Sequence, residues 1–186
     1  MSLELLGGRV LAPYFGSSIY VWGSIISVFM LSLSIGYLVG GKLSVTRPSF
    51  ARFGTIFIVG AILLYPLVLY AQPLMEWVFN AIEDPRFGSL VASMILFCIP
   101  TVILGMISPY SVRLVVETVS KSGEIAGRLY FVSTLGSALG TLMTSFYFVL
   151  WFEINTILTM LSLTLVLAGV TALLVHQAGQ RATVVN

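Results

Sequence analysis

Charged side chains are scarce in this sequence. Only 9% of the 186 residues are Asp, Glu, Lys or Arg, whereas 58% are hydrophobic and the mean hydropathy is +1.04. Because an ordinary soluble domain carries about 25% charged residues, so few polar groups cannot cover a water-exposed surface of this size. The scarcity excludes a soluble globular protein and predicts helices surrounded by hydrocarbon, with the lipid bilayer as a partner.

Cysteine and histidine are almost lacking, with one residue of each. The lone Cys98 can form neither an internal disulfide nor a cysteine-based metal cluster. The net charge is only +2 and the basic residues are dispersed, which excludes nucleic acid as a partner. Phosphate-binding loops, nucleophile-elbow motifs and paired histidine ligands are absent from the sequence. We therefore expect no cofactor, no metal site and no self-contained enzyme.

Five stretches are long and apolar enough to cross a membrane, which takes about 20 residues of helix. The predicted spans are 19–41, 53–71, 88–110, 129–151 and 154–175. The first 16 residues are too short and too polar to cross alone. We interpret them as a partial or interfacial helix that lies in the membrane surface or packs against the bundle. The sequence thus predicts one all-α transmembrane helix bundle over residues 1–186, with a tail at 176–186.

Basic residues predict the orientation of the bundle. Seven of the nine follow the first or third span or lie in the tail: Lys42, Arg47, Arg52, Arg113, Lys121, Arg128 and Arg181. Because Lys and Arg accumulate in cytoplasmic loops, we expect the N terminus outside and the C terminus in the cytoplasm. Aromatic rings favour the membrane boundary, and six lie at the predicted outer one: Tyr14, Tyr20, Trp22, Tyr70, Trp77 and Trp151.

Small residues recur at a spacing of four on two of the spans. They are Ser32, Gly36 and Gly40 on the first span, and Gly136, Gly140 and Thr144 on the fourth. Such stripes let helix backbones approach each other closely. We favour packing of these two helices within the chain, and the alternative is a seam between copies in a homo-oligomer.

Helix-breaking residues cluster in the third span, at Pro100, Gly105 and Pro109. Each proline removes a backbone donor and leaves a carbonyl about one turn earlier without its partner. We favour a structural kink here, and the alternative is a break that lines a substrate site, as in secondary transporters. Pro66 in the second span can likewise be interpreted as a structural kink, which we favour, or as a break that lines a site.

Ionisable residues are nearly absent from the spans, which argues against a proton relay or a deep cation site. Glu4 and Arg9 are five residues apart, close to the spacing that lets side chains pair on a helix. We favour a structural ion pair, and the alternative is a functional pair in which Glu4 holds a cationic ligand. We interpret the outer acidic residues as solvated loop side chains: Glu76, Glu83, Asp84 and Glu153.

Two parts of the sequence carry specific motifs. One is ELLGGRVLAPYFGSSIYVW from Glu4, followed by GYLVGGKL from Gly36. The other is GMISPY from Gly105 with Arg113, followed by GRLY and STLGSALGT between residues 127 and 141. These motifs resemble the membrane half of bacterial spermidine synthase-like proteins, in which a multi-helix domain precedes a cytosolic aminopropyltransferase-type domain. The resemblance covers about half of the chain and implies a location in the bacterial inner membrane.

The sequence departs from that family at both ends. In the family, the segment that corresponds to Glu4 ends a first transmembrane helix whose apolar beginning lies upstream of Met1. We expect either a truncated start or a partner that holds this segment. The family's Rossmann-like catalytic half does not follow Asn186, so the resemblance does not assign aminopropyl transfer to this chain.

The function expected from the resemblance is that of a membrane anchor or scaffold for a cytosolic aminopropyltransferase-like partner. One alternative is a transport subunit for a small cation or polyamine, with Glu4 and the kinked third span lining the path. Another is a structural subunit of a larger membrane complex.

Overall fold

Helices account for all the regular secondary structure in the residues that the computed structural model describes, 1–46, 48–116 and 122–185. The predicted all-α class is confirmed. The elements are α1 Ser2–Phe15, α2 Ile19–Val45, α3 Phe50–Ala81, α4 Pro85–Gly105, α5 Ile107–Val115, α6 Ser122–Met143, a π-helical turn Thr144–Phe148, α7 Val149–Trp151 and α8 Ile154–Val185.

Five helical stretches are long and apolar enough to cross a membrane, as predicted. They are Ile19–Val45, Phe50–Ala81, Pro85–Val115, Ser122–Trp151 and Ile154–Gln180. The structure therefore fits a multi-pass membrane protein. Arg47 and Lys121, which contributed to the predicted orientation, lie outside the described residues, as does the side chain of Arg181.

The helices run past the predicted ends of the spans. Helix α8 continues ten residues past its predicted end, from residue 175 to Val185. The difference is equally large in α3, which continues from the predicted end at residue 71 to Ala81. Pro66 and Pro73 both lie inside this helix and neither ends it. Each proline costs one helical hydrogen bond, but packing of α3 against α4 and α8 holds the helix together.

The short helix α1 packs against the bundle, which is one of the two placements expected for it. Its buried side chains contact α2, α3 and α4. A Cβ atom on Gly7 would lie 3.1 Å from the ring of Phe97, and one on Gly8 would lie 2.6 Å from the ring of Trp22. These two glycines therefore let α1 approach its neighbours closely.

Helices α2 and α4 run in the same direction and make one of the two most extensive contacts of the bundle. Near their starts, the hydroxyls of Ser24 and Ser89 are 3.3 Å apart. Further along, Gly36 in the second half of α2 lies against Gly105, the last residue of α4. The other extensive contact joins α3 and α8.

Contacts near the connections between helices define two ends of the bundle. At the Tyr110 end, the side chain of Tyr110 contacts Ser49 between α2 and α3. At the Asp84 end, the α3–α4 connection lies near the end of α1, where Phe15 meets Gly88. Lys42 lies in the last turn of α2 and Arg113 in the last turn of α5, so both belong to the Tyr110 end.

Candidate functional site

Glu4 and Arg9 do not form the expected ion pair. Within the described parts of the chain, ion pairs join Arg86 to Asp84 and Arg128 to Glu124. A helix turns by about 100° per residue, so positions five apart diverge by about 140° around the axis. The side chains of Glu4 and Arg9 accordingly point away from each other, with Glu4 half-buried and Arg9 exposed.

The small-residue stripe of α2 packs within the chain, but its partner is the third span rather than the fourth. Ser32, Gly36 and Gly40 are all buried. A Cβ atom on Gly40 would lie 2.6 Å from the backbone of Met106. Since α2 meets the end of α4 so closely, this stripe has a structural role.

The stripe of the fourth span has a different environment. A Cβ atom on Gly136 would have no neighbour within 4 Å. The carbonyl of Gly140 accepts a hydrogen bond from Ser2 at 3.2 Å, and the Thr144 hydroxyl lies 2.9 Å from that of Ser2. This stripe therefore meets α1, and it leaves Gly136 open.

The third span breaks at Gly105. Helix α4 ends there and α5 begins at Ile107. Pro109 has no backbone N–H and so cannot donate to the carbonyl of Gly105 one turn earlier. Pro100, in contrast, lies inside α4 without ending it. The break coincides with the close contact between Gly105 and Gly36, which agrees with the interpretation as a structural kink.

A cavity of about 450 Å³ lies between the second half of α1, the middle of α3 and the start of α8. We call it the Glu153 cavity. Its polar wall residues are Arg9, Tyr14, Gln72, Glu153 and Asn155, and the remainder of its wall is mostly apolar. Neither Glu4 nor the kinked part of the third span borders it.

Two prolines border the Glu153 cavity, and each lies inside a helix. Pro13 belongs to α1 and Pro73 to α3. Lacking an N–H group, they leave the carbonyls of Arg9 and Leu69, four residues earlier, without their helical donors. Arg9 and Leu69 also border the cavity. The wall thus includes two residues whose backbone carbonyls lack their helical donors.

The cavity wall carries one charge of each sign. Among the described residues, neither the guanidinium of Arg9 nor the carboxylate of Glu153 has an ion-pair partner. Burial raises the pKa of Tyr14, and the nearby carboxylate of Glu76 raises this pKa further. The Tyr14 hydroxyl therefore stays protonated at neutral pH and can donate a hydrogen bond.

Sequence reasoning did not find this cavity. It assigned Arg9 to a pair with Glu4 and did not single out Pro73. It interpreted Glu153 as a solvated loop residue, and Glu153 is indeed exposed in the connection before α8, but the sequence did not indicate that this residue borders a cavity. A usable signal was the occurrence of Pro13 and Pro73 within apolar helical stretches, each near a polar residue. What the sequence could not show was that α1, α3 and α8 bring these positions together.

At the Tyr110 end, a buried hydroxyl joins helix α5 to the α2–α3 connection. The oxygen of Tyr110 accepts a hydrogen bond from the Ser49 N–H at 3.1 Å. The ring of Tyr110 is fully buried and stacks on Phe53, with 5.9 Å between ring centroids. Next to it, Arg52 donates a hydrogen bond to the carbonyl of Thr46. This end of the bundle is therefore internally braced.

Comparison of the chain with protein-family models, with curated proteins and with solved structures finds no match. The described residues contain no group of His, Cys, Asp and Glu side chains arranged to hold a metal ion.

Proposed function

We propose that this chain is a multi-pass domain of the bacterial inner membrane that anchors a cytosolic aminopropyltransferase-like partner. The membrane location is supported by the five long apolar helices. The class of the partner rests on the resemblance of the motifs around Glu4, Gly36 and Gly105. Several of those motif residues form the closest helix contacts of the bundle, as Gly8, Gly36 and Gly105 do.

The proposed orientation places the Tyr110 end in the cytoplasm. Lys42, Arg52 and Arg113 all lie at this end and are exposed. The positive-inside rule favours the cytoplasm for such an end. The C terminus of α8 would then lie inside and the end of α1 at Phe15 outside. Met1 itself lies between the two ends of the bundle, beside Leu64 and Gly136, so the expected outside position of the N terminus does not follow from this orientation. A reporter fused after residue 186 should be active only in its cytoplasmic form, and a periplasmic signal would contradict this orientation.

The observation that carries the anchor proposal is the brace between Tyr110 and Ser49. It fixes the α2–α3 connection against α5. The exposed cations Lys42, Arg52 and Arg113 lie at the same end of the bundle. A preorganised cationic surface suits an acidic face on a soluble partner, because complementary charges speed association and fix its orientation.

Purification in mild detergent tests the anchor. A soluble aminopropyltransferase-like protein should co-purify, and the double change Lys42→Glu and Arg113→Glu should reduce its recovery at least about tenfold. The matched control is Asn80→Glu, which adds negative charge at an exposed position of the Asp84 end. Recovery of the chain alone from cells that contain such a partner, or equal recovery with both variants, would contradict the proposal.

Transport of a small cation or polyamine is a second candidate: the carboxylate of Glu153 in the cavity wall favours it, whereas the guanidinium of Arg9 in the same wall counts against a polycation. If it holds, vesicles containing the protein should take up labelled spermidine, and Glu153→Gln should abolish the uptake. Glu4→Gln should have no effect, because Glu4 does not border the cavity. An anchor without transport activity gives no uptake at all.

The fourth span favours a third candidate, a structural subunit of a larger membrane complex. Only 6% of the residues in the most apolar stretch of Ser122–Trp151 are buried. Its open faces would contact lipid or another membrane subunit. Crosslinking from a photoreactive residue at the exposed position Leu139 distinguishes these neighbours.

A further inference from the structure

We propose that the Glu153 cavity binds an amphipathic zwitterion, in which a primary ammonium group stands next to a carboxylate or phosphate and is attached to an apolar body. Three features of the wall lead to this ligand class: hydrogen-bond acceptors without donors, one unpaired charge of each sign, and an apolar remainder. This site is independent of the anchoring proposed above.

The acceptors define the ammonium end of the ligand. An ammonium group has three donors, and three strong acceptors belong to residues that border the cavity. One is the carboxylate of Glu153, and the others are the carbonyls of Arg9 and Leu69 that Pro13 and Pro73 leave without helical donors. Kinked helices bind cationic groups through such carbonyls in membrane transporters. A quaternary ammonium could not donate these hydrogen bonds.

The guanidinium of Arg9 defines the anionic end. It borders the same cavity as Glu153 and has no ion-pair partner among the residues described. Arg forms strong paired hydrogen bonds with carboxylates and phosphates. Its charge also disfavours a polycation such as spermidine, which would bring several positive charges next to it without an anion to match. A zwitterion satisfies both wall charges at once.

The rest of the cavity suits an apolar body. Val10, Val68, Met75 and Ile154 border it beside the polar groups. A volume of about 450 Å³ lies within the range of small-molecule sites, about 300–1,000 Å³. The cavity could therefore take a hydrophobic amino acid, or the headgroup and upper chains of phosphatidylethanolamine.

Matched pairs of probes identify the chemistry and its source. For the free ligand, the probes are L-leucine and its N-trimethyl derivative, measured by calorimetry on the detergent-purified chain. For the lipid, they are phosphatidylethanolamine and phosphatidylcholine, measured by native mass spectrometry after release from nanodiscs. In at least one pair, the primary ammonium compound should bind about tenfold or more tightly than its N-trimethyl counterpart. A preference in the leucine pair identifies the ligand as a free amino acid, and a preference in the phospholipid pair identifies it as a lipid headgroup.

Substitutions then test whether individual wall residues contribute to ligand binding. Pro73→Ala supplies the donor for the carbonyl of Leu69, so binding should weaken by about threefold to tenfold. Pro66→Ala repairs the same defect in the same helix but away from the cavity, and it should leave binding unchanged. Glu153→Gln should weaken binding about tenfold or more, and the exposed control Glu83→Gln should not. Thermal unfolding without ligand verifies that each variant is folded.

Several results would overturn the proposal. In the first, neither pair of probes shows tighter binding of the primary ammonium compound, either because both members bind equally or because neither binds. Another is tighter binding of spermidine than of leucine or phosphatidylethanolamine. The third is an equal effect of Pro73→Ala and Pro66→Ala. None of these results bears on co-purification of a cytosolic partner, so the two proposals fail separately.

Discussion

A Cβ atom on Gly36 would lie 2.3 Å from the carbonyl oxygen of Val102 and 2.9 Å from the Cα atom of Gly105. Both are backbone atoms, which cannot swing aside as the end of a flexible side chain can. Helices α2 and α4 therefore meet backbone to backbone at this point, directly where the third span breaks. The contact requires glycine at Gly36.

Replacement of Gly36 by alanine should destabilise the protein by about 1–3 kcal/mol, because the added methyl group forces the two backbones apart. Thermal unfolding in detergent measures the effect. Gly23→Ala in the same helix is the matched control, since its Cβ atom would have no neighbour within 4 Å. It should keep or slightly raise the stability, owing to the better helix propensity of alanine. Equal midpoints for the two variants would show that α2 and α4 do not touch here.

Removal of the Tyr110 hydroxyl should loosen the Tyr110 end of the bundle. Tyr110→Phe keeps the ring that stacks on Phe53 but leaves the Ser49 N–H without its acceptor. Loss of such a hydrogen bond costs about 1–3 kcal/mol. Hydrogen exchange of the α2–α3 connection should accelerate, and the unfolding midpoint should fall. Tyr37→Phe, at an exposed position of α2, should change neither. Unchanged exchange in Tyr110→Phe would refute the brace.

Protonation of the Asp84 carboxylate in acid should lower the stability of the folded protein. The side chain of Asp84 accepts hydrogen bonds from the Arg86 side chain and from its backbone N–H, which lowers the pKa of Asp84 in the folded protein. A lowered folded pKa stabilises the fold above the unfolded pKa of about 3.9. That contribution is lost as the pH falls through the folded value.

The corresponding measurement is the unfolding midpoint between pH 5 and the acid range below pH 3.9. Asp84→Asn should lower the midpoint at pH 5 and flatten its decline in acid, because the substituted side chain does not titrate. Glu83→Gln is the control at the neighbouring exposed position and should keep the decline. A decline of the same steepness in Asp84→Asn would assign the acid sensitivity to other groups.

The sequence predicted the number of spans well because hydropathy alone determines which stretches prefer hydrocarbon. It predicted their ends less well. Gln72 and Glu76 follow the apolar stretch of α3 and suggested an end at residue 71, yet the helix continues, since packing on neighbouring helices outweighs the local loss of hydropathy. Likewise, the spacing of Gly36 and Gly40 predicted a close contact but could not identify its partner.

The candidate site was harder to predict from the sequence because it depends on three separate helices. Pro13, Pro73 and Glu153 are far apart in the sequence, and no local spacing relates them. The close contact between Gly54 and Gly169, which joins α3 to α8, was missed for the same reason. Their Cβ atoms would lie 2.7 Å from the Gly169 carbonyl oxygen and from the Ile58 side chain, respectively. Without this contact, the relative position of α3 and α8 cannot be derived.

A double-mutant cycle on Glu4 and Arg9 tests whether the Arg9 side chain is unpaired and so can bind an anionic group of a ligand in the Glu153 cavity. Because the two positions diverge around α1, the changes Glu4→Gln and Arg9→Gln should be additive, with a coupling energy below about 0.5 kcal/mol. The cycle is measured by thermal unfolding of the two single variants and the double variant. A coupling well above that value would show that the side chains pair. Arg9 would then be neutralised by Glu4, and the Glu153 cavity would carry a net negative charge that favours a simple cation over a zwitterion.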